Sequence, residues 1–99
     1  MDIRYLAGIF DGEGCAYMKR NRESPRIFIM KISQKDTRLL YAIREVYEGR
    51  VESGGKRGTP RWVLSGNKAK TIALQMFPYL IVKKNTIKSL LGVVHSNNS

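Results

Sequence analysis

Between positions 26 and 34 apolar and polar residues alternate. Phe28, Met30 and Ile32 take one side, and Ile29, Lys31 and Ser33 the other. A period of two marks a β-strand with one buried face. Residues 15–20 (Cys-Ala-Tyr-Met-Lys-Arg) predict a preceding strand, and the turn-like stretch 21–25 joins the two into a hairpin. From 35 to 48 the period changes: Leu39, Leu40, Ile43, Val46 and Tyr47 recur at helical spacing, and Asp36 suits the start of that helix. Residues 50–53 and 61–64 predict a second hairpin around the basic, glycine-rich loop 54–60. At the N-terminus, 3–10 reads as a helix capped by Asp2 and ended by Gly12 and Gly14. Another helix begins at Ser65 or Asn67 and runs to about Phe77, where Pro78 interrupts it. Asn85 is expected to cap a last helix reaching about His95, and 95–99 reads as a frayed tail.

The order α-β-β-α-β-β-α-α predicts an α+β domain over residues 1–99: two hairpins in one antiparallel sheet, with helices on one face. Strand alternation sends Ala16, Met18, Phe28, Met30, Ile32, Val51, Trp62 and Leu64 toward the helices. Tyr17, Lys19, Asn21, Ile29, Lys31, Ser33, Arg50, Glu52, Arg61 and Val63 then face outward.

Charge makes that outer face interesting. Lys and Arg number 18 against 8 acids, a net +10, which favours a polyanionic partner. The single Cys15 excludes an intrachain disulfide and a paired-cysteine metal site. No basic-then-apolar leader and no apolar run of about 18 residues is present, so the expected setting is intracellular, with no membrane partner. A bacterial or phage-host cytoplasm and an organelle both fit that setting.

Residues 6–14, Leu-Ala-Gly-Ile-Phe-Asp-Gly-Glu-Gly, concentrate the chemistry. Gly8 and Gly12 lie four apart, so a helix here presents a face that another backbone can approach closely. Glycine inside a helix costs about 1 kcal/mol and needs a reason. Asp11 and Glu13 stand at the helix end, where the dipole disfavours acids. Carboxylate and carbonyl oxygens there suit a hard divalent cation, which can activate water for phosphodiester hydrolysis.

This segment resembles the LAGLIDADG motif of homing endonucleases, present here once. The resemblance implies an αββαββα-type domain with a saddle-like four-stranded sheet. It implies a homodimer that binds pseudo-palindromic duplex DNA, joined through Ala7, Gly8, Asp11 and Gly12. It further implies intron homing by double-strand cleavage across the minor groove, leaving short 3′ overhangs. Glu13 and the Gly12 carbonyl would hold Mg²⁺ or Mn²⁺, with Glu in place of the consensus Asp. The segment 32–38 (Ile-Ser-Gln-Lys-Asp-Thr-Arg) resembles the family's link from second strand to second helix. There Gln34 would orient water or metal, and Arg38 would sit near the scissile phosphate. The segment 78–84 (Pro-Tyr-Leu-Ile-Val-Lys-Lys) resembles the stretch before the last helix, where Lys83, or the adjacent Lys84, would polarise the phosphate.

An outward sheet face of this composition suits the major groove, where base edges are distinguishable. Lys19, Lys31, Arg50 and Arg61 match guanine, Asn21 adenine and Glu52 cytosine; Ile29 and Val63 would meet thymine methyl groups. Arg20, Arg22, Arg26, Lys56 and Arg57 are expected to contact phosphates. Trp62 is expected in the core, and His95 to bind no metal. Two other readings stay open on the same fold: a non-cleaving DNA-binding regulator and an RNA splicing maturase.

Overall fold

Four strands pair into one antiparallel sheet in the order β1-β2-β4-β3: β1 Gly14–Asn21, β2 Ser24–Ser33, β3 Arg50–Glu52 and β4 Arg61–Ser65. Four helices cover one face: α1 Ile3–Glu13, α2 Thr37–Tyr47, α3 Asn67–Met76 and α4 Lys84–Leu91. A short 3₁₀ turn, Phe77–Tyr79, places Pro78 between α3 and α4. The computed structural model describes residues 1–21, 24–56 and 58–92, with the backbone alone at Asn21, Ser24 and Pro25. Arg22, Arg57 and His95 lie outside the described residues, as does the side chain of Asn21, so their expected contacts have no structural counterpart here.

The first helix begins as expected and ends later. The Asp2 carboxylate accepts the Tyr5 N–H at 3.0 Å and so caps α1. The helix then runs through Gly12 to Glu13, and Gly14 stops it by turning to extended backbone. No side chain fits at Gly14: a Cβ there would overlap the Phe10 ring and lie 2.6 Å from the Phe10 carbonyl oxygen. Closeness of Gly14 to Phe10 lets α1 pass directly into β1.

Asp36 caps α2 by accepting the Arg38 N–H at 3.0 Å. The Arg38 guanidinium also closes on the Asp36 carboxylate, and together with that N–H it lowers the carboxyl pKa to about 2. At the other end of α2, Glu48 and Gly49 both adopt positive φ, which reverses the chain into β3. Gly49 is required there, since a Cβ would meet the Trp62 indole nitrogen and the Val63 carbonyl oxygen at 2.6 Å.

The third helix starts at Asn67, one of its two expected starts, behind Gly66 in positive φ, and one expected cap moves. The last helix opens at Lys84 behind Lys83 rather than behind Asn85. Its approach is tied from outside, by Asp11 of α1, as described below.

The core lies between sheet and helices. Leu6, Ala7 and Phe10 of α1 meet Phe28, Met30 and Ile32 of β2, Leu40 and Ile43 of α2, Trp62 and Leu64 of β4, Ala69, Ala73 and Met76 of α3, and Ile87 of α4. Burying a side chain of Leu, Ile or Phe size contributes about 1.5–3 kcal/mol. Ala16, Met18 and Val51 point the same way but are only part-buried, because β1 and β3 are the sheet edges. The Trp62 indole is fully buried, and its N–H donates to the Glu48 carbonyl at 2.6 Å. Among the described residues no helix is long and apolar enough to cross a membrane.

Candidate active site and nucleic-acid interface

Glu13 is the last residue of α1, exposed, with no hydrogen-bond or ion-pair partner among the described residues. The β1–β2 register fixes what lies near it. Gly14 pairs with Ile32, so the end of α1 and the end of β2 share one edge of the sheet. Gln34 follows β2 directly, anchored by its N–H to the Pro60 carbonyl at 3.0 Å.

Lys83 reaches the same edge through Asp11. One Asp11 carboxylate oxygen accepts the Ile81 N–H at 2.7 Å, and the other accepts the Val82 and Lys83 N–H groups at 3.0 and 2.9 Å. The Lys83 ammonium returns the contact, donating to the Asp11 main-chain carbonyl at 3.1 Å. Asp11 thus binds the segment before α4 to the end of α1, and it sets the Lys83 charge on the carbonyl of the Asp11–Gly12 peptide. Three separate elements bring Glu13, Gln34 and Lys83 to one corner of the molecule.

Other expected residues are placed differently. Ala7 has 0% exposure and packs in the chain's own core, so it offers no surface to a second chain. The Asp11 carboxylate is committed to residues 81–83, which removes it from the expected interface as well. Gly8 and Gly12 do lie on an open side: a Cβ at either would meet nothing within 4 Å. Arg38 is paired with Asp36 at the start of α2, and any phosphate contact would have to compete with that ion pair. Lys84 lies over the Phe77 ring, 5.3 Å from its centroid.

No group of three or more His, Cys, Asp or Glu gathers among the described residues. The oxygen donors at the corner are the Glu13 carboxylate and the Gly12 carbonyl, which sits in the last helical turn, where carbonyls lack intrahelical partners. That donor set fits a hard divalent cation whose remaining ligands come from outside this chain, such as phosphate, water or a second copy.

The sheet face away from the helices carries four cross-strand rows: Lys19 and Ile27; Tyr17, Ile29 and Ser65; Cys15, Lys31, Val63 and Arg50; and Ser33, Arg61 and Glu52. Exposed Tyr17 lies under Lys31, whose ammonium is 5.2 Å from the ring centroid. Ile29 and Val63, expected to be open to thymine methyl groups, are 9% and 1% exposed. Both sit on the central strands β2 and β4, Ile29 between Tyr17 and Ser65 and Val63 between Lys31 and Arg50. Glu52, expected to accept from cytosine, instead accepts from Arg50 and Arg61 at 2.7 and 2.8 Å. Alternation alone would have added Cys15, Ile27 and Ser65 to the face; each shares its side with residues already assigned there.

No family model and no curated protein matches the chain. Solved structures do. The homing endonuclease I-CvuI, in complex with the I-CreI target and 2 mM Mg with the DNA not cleaved, aligns at a TM-score of 0.73 and 21% identity, over 87% of this chain and 60% of that one. The archaeal intron-encoded homing endonuclease I-Vdi141I, complexed with DNA, aligns at 0.67 and 25% identity, over 86% and 61%. The LAGLIDADG meganuclease I-AabMI, bound to uncleaved DNA, aligns at 0.68 and 24% identity, over 85% and 32%. This chain has the LAGLIDADG homing-endonuclease fold.

In LAGLIDADG terms, α1 carries the motif: its glycine side is open, Asp11 is turned inward and Glu13 stands at the tip. The chain spans about three fifths of the I-CvuI chain that it matches. The described helices lie on one face of the sheet, and the rows that carry Lys19, Lys31, Arg50 and Arg61 lie on the other.

Proposed function

We propose that this chain is a homodimeric, divalent-metal-dependent, sequence-specific endonuclease of duplex DNA. What supports the reading is that Glu13, Gln34 and Lys83 belong to three segments that converge where α1 passes into the sheet: Gly14 pairs with Ile32, two residues before Gln34, and Lys83 is bonded to Asp11. The Glu13 carboxylate, exposed and without a partner among the described residues, would hold the metal together with the Gly12 carbonyl. When bound, Mg²⁺ or Mn²⁺ would lower the pKa of a water and offset charge on the phosphate. Lys83, held on the Asp11 carbonyl, supplies a fixed positive charge for the same phosphate. Gln34 offers an amide to orient the attacking water. The basic sheet face supplies the DNA contacts, with a charge excess of +10 favouring the phosphate backbone.

A double-strand cut needs two such corners, and one chain has one Glu13. The open sides of Gly8 and Gly12 support packing of α1 against α1 of a second copy about a twofold axis. That arrangement brings the two Glu13 carboxylates toward phosphates facing each other across the minor groove, and it suits a pseudo-palindromic target. Cleavage there would leave short 3′ overhangs and fits intron homing.

Gly8→Leu tests the dimer. With nothing within 4 Å of the new Cβ, the variant is expected to fold, and leucine is the better helix former. It is expected to sediment at the 11.3 kDa monomer mass and to lose double-strand cutting. A variant that still sediments as a dimer with full cutting would remove the α1–α1 interface.

A further inference from the structure

Glu52 holds two arginines. On β3 it faces Arg61 of β4 directly across the ladder, and Arg50 lies two residues before it on the same side of the strand. Its Oε2 accepts the Arg50 Nε–H at 2.7 Å, and its Oε1 accepts the Arg61 Nε–H at 2.8 Å. These two hydrogen bonds, Arg61 first, hold the Glu52 carboxyl below the usual carboxylate range, so the unit stays ionised at neutral pH.

We propose that Glu52 is a positioning residue that presents Arg50 and Arg61 together to two neighbouring guanines, and that it reads no base itself. The proposal rests on the DNA reading above. Both carboxylate oxygens are occupied through Nε, the side of each guanidinium nearest its own stem. The terminal amino groups of both arginines have no protein partner among the described residues. Those terminal groups form the fork that matches guanine O6 and N7. The two Nε atoms share one carboxylate, so they lie within about 8 Å of each other, near enough for both arginines to reach neighbouring base pairs, which are stacked about 3.4 Å apart. Glu52 is also set lower than the two arginines it orients: its side chain is 30% exposed, against 63% for Arg50 and 37% for Arg61.

The energetic role is preorganisation. A free arginine gives up rotamer freedom when it meets a base, and one already held on a carboxylate has less to lose. The same carboxylate also repels phosphates. Removing its charge is therefore expected to raise general affinity for DNA while lowering discrimination, an opposition that a merely structural residue would not produce.

Selection of bound duplexes from a randomised pool, by wild type, Glu52→Gln, Arg50→Ala/Arg61→Ala and the triple variant, tests this. Wild type is expected to enrich guanine at two neighbouring positions in each half-site. The arginine double variant loses both preferences. Glu52→Gln weakens the same two by roughly tenfold, leaves the other positions unchanged and binds random duplex at least as tightly. The triple variant matches the double. If Glu52→Gln keeps both guanines and alters a third position, Glu52 reads a base and the proposal is wrong. An unchanged Glu52→Gln profile overturns it equally. A wild-type pool with no enriched sequence is a separate failure: it removes the DNA reading, and this inference with it.

Discussion

Glu13→Gln is expected to lower the rate of DNA cutting by about a thousandfold or more and to leave duplex binding within a few fold. Gln keeps the length and one carbonyl oxygen of Glu but carries no charge, so it is a poor ligand for a hard divalent cation. Metal-based stabilisation of a phosphoryl transition state contributes several kcal/mol, and each ~1.4 kcal/mol is a factor of ten. The fold should not suffer. Glu13 is exposed and without a partner among the described residues, and it stands at a helix C-terminus, where a negative charge is unfavourable. Thermal melting of the variant is therefore expected to match or slightly exceed wild type. Strand-resolved cleavage and gel-shift titration on one duplex check the two halves of the prediction. Cutting at the wild-type rate would show that Glu13 does not hold the metal.

Asp11→Ala is expected to act on stability and activity at once. The Asp11 carboxylate accepts three consecutive main-chain N–H groups, of Ile81, Val82 and Lys83. Hydrogen bonds to a charged group contribute about 1.5–3 kcal/mol each, and some of the freed N–H groups will find water, so a net loss of about 2–4 kcal/mol is expected. For a domain of this size that lowers Tm by roughly 10 °C or more. The loss also frees the segment that holds Lys83 beside Glu13, so cutting should fall at temperatures where the variant is still folded. Asp11→Asn, which retains an acceptor oxygen, should fall between the two on both measures. A Tm equal to wild type for Asp11→Ala would mean that the link between α1 and the start of α4 carries no weight in solution.

Much of this architecture was legible in the chain. The alternation through Phe28, Met30 and Ile32 marked the inner face of β2, and the helical spacing of Leu40 and Ile43 marked the buried side of α2. These patterns report burial directly. What stayed hidden depends on contacts between distant residues. Gly12 and Gly14 together mark a helix end in the sequence, but Gly12 on an open side adds only a propensity cost, and the stop falls at Gly14 alone, where Phe10 leaves no room for a side chain. Asn85 was read as a cap, but Asp11, more than seventy residues away, ties down the approach to α4.

The candidate site divides along the same line. The motif placed Glu13, and resemblance placed Gln34 and Lys83 at positions that the fold brings to one corner. Of the four expected interface residues, Ala7 and Asp11 turn away from the open side that Gly8 and Gly12 share, a division that one-dimensional reading of a helix does not separate. Ala7 turned to the core and Gly8 to the outside, although they are neighbours in sequence. Ile29 and Val63 were on the expected side of the sheet, yet central strands bury apolar side chains that edge strands would leave open. The Arg50–Glu52–Arg61 unit needed the β3–β4 register, which follows a loop too irregular for pattern alone to set.

The central claim is that a pair of these chains cuts both strands of a specific duplex with a divalent metal. A cleavage selection on a library of randomised near-palindromic duplexes, run with Mg²⁺ and with EDTA, tests it most directly. The account predicts a Mg²⁺-dependent family of related sequences, cut on both strands with short 3′ overhangs and absent with EDTA. Enrichment of bound duplexes with no cut ends in Mg²⁺, from a library that contains the bound site, would contradict it and leave a DNA-binding protein that does not cleave.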